Sequence, residues 1–146
     1  MTEDDTSGPI ARSVTKSVGI DLKPREVFEY LADGTNWPQW AIVNIKSITK
    51  PPDSAWLNMV SINGPGRLRI RSDAGSGILD HDYEDSQANW TVPARVVANG
   101  RGSEFMMTFF QPNTFTDAFF DEQIGLVDIE LAKLKQILES RLTHKR

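Results

Sequence analysis

From Ser13 onward apolar and polar residues alternate: Val14, Val18, Ile20 and Leu22 share one parity, and Thr15, Ser17 and Asp21 the other. Period two marks a strand with one face buried. Lys23-Pro24 stops it, and Pro24 suits the first turn of a helix, where its missing N–H has no helical partner. Val27, Phe28 and Leu31 follow at helical spacing as far as Asp33-Gly34, and Asn36-Trp37-Pro38-Gln39-Trp40 reads as a second short helical turn capped by Asn36. Strand character then resumes, over about 42–49, 55–62, 66–72, 77–84, 89–99 and 102–111. The separators are turn chemistry: Pro51-Pro52-Asp53, Asn63-Gly64-Pro65, Asp73-Ala74-Gly75, Asp85-Ser86-Gln87 and Asn99-Gly100-Arg101. Last, Phe120, Ile124, Val127, Leu131, Leu134 and Leu138 form one apolar stripe on a helix from about Thr116, its N-cap, to Leu142. At 1.5 Å per residue this helix is about 40 Å long, enough to cross a whole sheet.

This order predicts an α+β fold in which a curved antiparallel sheet of about seven strands wraps around the long C-terminal helix, with two short helices after the first strand. The turns set registers. A two-residue turn at Gly100-Arg101 places Val96 opposite Phe105, Ala94 opposite Met107 and Val92 opposite Phe109. Carried across Ser86-Gln87, Tyr83 faces Trp90 and His81 faces Val92. Arg67, Arg69 and Arg71 then point to solvent, and a tight Asp73–Ser76 turn pairs Arg69 with Asp80 and Arg67 with Asp82. His81 and Tyr83 point inward among apolar neighbours, where polar groups need partners or a wet cavity. Gly125 in mid-helix implies a close approach to the helix backbone from the sheet side.

Composition narrows the classes. The 146 residues suit one domain, read as 13–142, with a flexible tail at 1–12 and a basic one at 143–146. The absence of cysteine removes disulfides, thiolate nucleophiles and most structural zinc sites. A net charge of −4 argues against a nucleic-acid partner, and no apolar run is long enough for a membrane span. The acidic start, Met1-Thr-Glu-Asp-Asp, does not resemble a targeting signal, so a cytoplasmic location is expected. Asp80-His81-Asp82 fails as a metal site because adjacent strand residues face opposite ways. No metal and no cofactor are expected. The G-x-G stretches at 64–66, 75–77 and 100–102 open no helix and read as hairpin turns.

Several motifs carry a family resemblance. They are Pro24-x-Glu26-Val27-Phe28-x-Tyr30-Leu31, Asn36-Trp37-Pro38-x-Trp40, Gly77-Ile78-Leu79-Asp80-His81, Val92-Pro93-Ala94-Arg95-Val96-Val97-x-Asn99-Gly100-x-Gly102-Ser103-Glu104 and Phe109-Phe110-Gln111-Pro112. Over about residues 13–142 the chain resembles the START-like or SRPBCC superfamily, the helix-grip fold, and within it a bacterial polyketide cyclase/dehydrase-like subgroup. The resemblance implies a cavity between the sheet and the long helix. The superfamily includes aromatic polyketide cyclases, hormone- and allergen-type carriers, lipid-transfer domains and relatives of Hsp90 co-chaperones.

The expected function is binding of a small hydrophobic or aromatic ligand in that cavity, with polyketide cyclase-like chemistry as an extension. The residues expected to line it are Trp37, Trp40, His81, Tyr83, Trp90, Phe105, Met107, Phe109, Phe120 and Ile124. His81 is the catalytic candidate, as a general base or carbonyl-orienting group. It also reads as a core histidine with a hydrogen bond to Tyr83 or to main chain. The alternative function is a non-enzymatic, co-chaperone-like interaction module, for which Trp56 and Val60 on the outward parity are the surface hint. Oligomeric state is left open, a homodimer included.

Overall fold

The computed structural model describes residues 8–145, with side chains through Arg141. The first seven residues of the expected N-terminal tail, and the side chains of the expected basic tail at 143–146, lie outside the described residues. The elements run β1 (Ser13–Ile20), α1 (Pro24–Ala32), a 3-10 helix (Gly34–Gln39), β2 (Ile45–Thr49), β3 (Leu57–Ser61), β4 (Gly64–Asp73), β5 (Ile78–Glu84), β6 (Asn89–Val92), β7 (Ala94–Asn99), β8 (Gly102–Phe110) and α2 (Asp117–Lys145). The sheet is antiparallel in the order β1-β8-β7-β5-β4-β3-β2, with β6 paired to β5.

The sheet has eight strands because the run at 89–99 is broken at Pro93. Proline has no N–H for the ladder, although its carbonyl still accepts from the Thr108 N–H at 3.0 Å. The break lets β6 pair with β5 while β7 crosses to β8. Both expected registers hold on either side of it: Tyr83 lies opposite Trp90, His81 opposite Val92, Ala94 opposite Met107 and Val96 opposite Phe105. Val92, by contrast, is paired in β6 with β5 and has no ladder partner in β8.

The β4–β5 register differs from the expected one by two residues. Arg67 lies opposite Glu84, Arg69 opposite Asp82 and Arg71 opposite Asp80. The turn is longer than a two-residue hairpin, because Asp73 pairs with Ile78 and the chain reverses over 74–77. Gly77 turns with φ +71°, and an added Cβ there would lie 2.3 Å from the Val96 carbonyl oxygen. A slip of two preserves parity, so the arginines still face out and His81 still faces in. Asp82 becomes the hub of the outer face: it accepts from Arg69 at 2.8 Å, from Arg71 at 3.2 Å and from the Thr91 hydroxyl at 2.9 Å. Burial pushes its carboxyl up, and these donors together outweigh that and hold it below the usual carboxylate range. Trp56 lies under the same stripe, 3.9 Å from the Arg67 guanidinium and 4.5 Å from that of Arg69.

On α2 the residues Phe120, Ile124, Val127, Leu131, Leu134 and Leu138 are all buried, as their spacing requires. Thr116 caps the helix by accepting from the Phe119 N–H at 3.1 Å. The 3-10 helix is capped by Asp33 rather than Asn36, since the Asp33 carboxylate accepts from the Thr35 N–H at 3.1 Å. Trp37 is anchored by its indole N–H, which donates to the Leu31 carbonyl at 2.9 Å, so α1 and the 3-10 helix close one end of the sheet as a unit. Gly125 departs from expectation. It is exposed, with nothing within 4 Å of where a Cβ would stand, so no element approaches the helix there. Among the described residues no helix is long and apolar enough to cross a membrane.

Candidate functional site

Two buried clusters meet beneath the sheet. The larger takes in Trp37, Trp40, Ile45, His81's neighbour Leu79, Val92, Phe105, Met107 and the C-terminal part of the α2 stripe. The smaller joins Phe115, Phe120 and Ile124, with Val14, Ala88, Trp90, Phe109 and Phe119 packed against it. Between them lies a cavity of about 90 Å³, open on one side. Its walls carry the six aromatic rings of Trp37, Trp40, Tyr83, Trp90, Phe109 and Phe115, and its rim is polar, with Asn63, Asp85, Gln87 and Gln123.

Eight of the ten expected lining residues are there: Trp37, Trp40, His81, Tyr83, Trp90, Met107, Phe109 and Ile124. Phe105 and Phe120 are not among its lining residues. Phe105 is fully buried edge-on to Trp40, at 6.3 Å between centroids, so the Trp40 ring stands between it and the space. Phe120 is fully buried and stacked on Trp90 at 6.3 Å, behind the wall that Trp90 forms. Phe119 packs on Phe115 at 4.7 Å.

His81 is 4% exposed and stands edge-on to Trp37 at 4.8 Å. Its Nδ1 lies 3.0 Å from the Leu79 carbonyl oxygen. A carbonyl can only accept, so Nδ1 carries the proton and Nε2 keeps its lone pair. Nε2 has no protein partner among the described residues. Burial pulls the imidazole down to about 4, against the pull of the Leu79 hydrogen bond and of Asp82 and Asp80. The ring is therefore neutral at pH 7, an acceptor rather than a strong base. Of the two partners expected for it, Tyr83 or main chain, the ring takes the main-chain one. Tyr83 instead points its hydroxyl at the Asn44 carbonyl, 3.5 Å away, and burial, with Asp85 nearby, raises its phenol well above the ordinary value.

The polar residue that the sequence reading overlooked is Glu130, on α2 and 5% exposed. Its Oε2 accepts three hydrogen bonds, from the Val43 N–H at 3.1 Å, the Asn44 N–H at 3.0 Å and the Asn44 side-chain amide at 3.2 Å. Its Oε1 has no partner among the described residues, although Glu130 lines the cavity. Burial pushes the carboxyl up to about 7, in spite of those three donors. The signal was present: Glu130 stands three residues after Val127 and four before Leu134, on the apolar stripe itself. Asn44 and Phe115 are also new to the site, and both come from irregular segments that periodicity does not describe. The Trp40 indole N–H is buried with no acceptor among the described residues.

An antiparallel sheet gripping one long helix, with two short helices closing its end and a cavity between, is the START-like, helix-grip fold. Solved structures similar to this chain include XoxI from Bacillus cereus, with 14% identity, a TM-score of 0.70, and 86% of this chain and 94% of that one covered. A START superfamily protein from Mycobacterium smegmatis has 14% identity and a TM-score of 0.66 over 92% of this chain and 99% of its own. The Aha1 dimer from Colwellia psychrerythraea has 12% identity and a TM-score of 0.69 over 88% of this chain and 96% of its own. The chain matches no protein-family model and no curated protein.

Proposed function

We propose that the protein binds a small aromatic or otherwise hydrophobic molecule in the cavity between the sheet and α2. The observation that carries this reading is a hollow walled by six aromatic rings whose lining holds the buried, unpartnered indole N–H of Trp40 and two acceptors without a protein partner, His81 Nε2 and Glu130 Oε1. A buried polar atom without a partner costs about 1–3 kcal/mol, which a ligand or water in the cavity would offset. The cavity, about 90 Å³, has room for several waters or one end of a ligand. The rest of a larger molecule would lie towards the rim.

Polyketide cyclase-like or other acid–base chemistry is a second reading, and Glu130 supports it better than His81. A general base works best with a pKa near the working pH. Glu130 stands at about 7 and His81 at about 4. The interaction-module reading draws less support, because Trp56 is covered by Arg67 and Arg69, leaving Val60 without it.

Native mass spectrometry of freshly purified protein, together with calorimetric titration of 2-phenylethanol as a neutral aromatic probe, tests the binding reading. Expected are a co-purifying small molecule or saturable binding of the probe, weakened by Trp90→Ala. Neither a bound molecule nor saturable binding would overturn it.

A further inference from the structure

The charge inventory of the cavity is one-sided. Its lining includes two carboxylates, Asp85 and Glu130, and no lysine or arginine. Asp85 is already satisfied, accepting from the Gln87 N–H at 2.8 Å, the Ala88 N–H at 3.2 Å and the Asn63 side-chain amide at 3.0 Å. Glu130 Oε1 and His81 Nε2, both acceptors, have no partner among the described residues, and the buried Trp40 indole N–H is a donor without one. Of the other donors nearby, the Asn44 amide donates to Glu130 and the Tyr83 hydroxyl is directed at the Asn44 carbonyl. An occupant meets negative charge with no cation to balance it, and finds two acceptors for donors of its own.

We propose that the ligand is a protonated amine on an aromatic or otherwise apolar body, its ammonium donating to Glu130 Oε1 within the aromatic wall. His81 Nε2 serves as the acceptor for a second donor on the same molecule. Aromatic faces attract a cation through the ring quadrupole, so Trp37, Trp40, Tyr83 and Trp90 favour an ammonium as well as an apolar body. A carboxylate or phosphate ligand would meet two carboxylates in a site with no basic side chain, and its buried charge would go unpaired. The elevated Glu130 carboxyl fits the same picture, since a buried acid without a counter-ion is what an ammonium would return to its ionised form.

This inference rests on the cavity-binding reading above and adds the charge of the ligand. Its test is calorimetric titration at about pH 8 with three probes of similar size: 2-phenylethylamine, 2-phenylethanol and phenylacetate. The amine is expected to bind at least about tenfold more tightly than the alcohol, in keeping with one buried charge pair or cation–π contact, and phenylacetate least. In Glu130→Gln the preference for the amine over the alcohol should be lost. Alcohol or phenylacetate binding as tightly as the amine to the wild-type protein would overturn the inference and leave the cavity-binding reading standing. The wild-type series decides this even if the variant is unstable. If none of the three binds, the ammonium proposal falls, and the cavity-binding reading falls with it unless a small molecule co-purifies.

Discussion

His81 Nδ1 donates to the carbonyl of Leu79, two residues back on the same strand, at 3.0 Å. The bond fixes the tautomer and turns the basic nitrogen towards the cavity rather than the main chain. His81→Ala removes the donor and leaves a buried carbonyl with one partner fewer. Chemical denaturation should show a loss of about 1–3 kcal/mol. A nitrogen-detected NMR spectrum of the wild-type protein at pH 7 should show Nδ1 protonated and Nε2 bare. A spectrum with the proton on Nε2 would contradict the assignment.

The two buried titratable groups of the cavity oppose each other in their effect on stability. His81 is lowered from an ordinary 6.5 to about 4, so the unfolded chain binds the extra proton between those values and stability falls as pH drops from 6.5 to 4. Glu130 is raised from 4.5 to about 7, so the folded chain binds the extra proton and stability falls as pH rises from 4.5 to 7. Each effect is worth up to about 3 kcal/mol, at 1.36 kcal/mol per pKa unit, and they cancel over most of their shared range. Urea denaturation between pH 4.5 and 6.5 should therefore give a flatter wild-type profile than either variant. Glu130→Gln should lose stability on acidification through 6.5 to 4. His81→Phe should lose it as pH rises from 4.5 to 7. Parallel profiles for all three proteins would refute the assignment.

Trp90 joins the cavity wall to the smaller cluster, meeting Phe115 at 5.6 Å, Phe109 at 6.1 Å and Phe120 at 6.3 Å. Trp90→Ala should cost about 3 kcal/mol, at the lower end for a large-to-small change because the ring is only half-buried. It should also weaken aromatic probes by removing one side of the site. A variant of wild-type stability and affinity would mean that Trp90 is peripheral.

Gly77 holds the β4–β5 turn open at four residues, with φ +71° and the Val96 carbonyl where a side chain would start. Gly77→Ala meets both a left-handed backbone and a clash, at a combined cost of about 1–3 kcal/mol or more. Gly100 also has a positive φ, +56°, but nothing within 4 Å of its Cβ position. Gly100→Ala should therefore cost less, and thermal unfolding of the pair measures the difference. Equal losses would show that the Val96 contact contributes nothing.

Sequence parity alone decides which face each strand residue presents, since the period of a strand is two whatever the register. That placed His81, Tyr83, Trp90, Met107 and Phe109 together on the concave side, and the four- and three-residue steps from Phe120 to Leu138 laid the α2 stripe over them. The motifs from Pro24 to Pro112 carried the helix-grip resemblance. The β4–β5 register is tertiary, because the length of its turn depends on Gly77 lying against Val96 in a different strand. Pro93 was visible in the sequence, but that it hands the chain from β5 to β8 depends on where those strands run. Glu130 shows the boundary most clearly. Its position on the apolar stripe is local, readable from Val127 and Leu134. What allows a carboxyl to remain there is the trio of donors from Val43 and Asn44, some 86 residues away in sequence, brought within 3.2 Å only when the sheet closes on the helix.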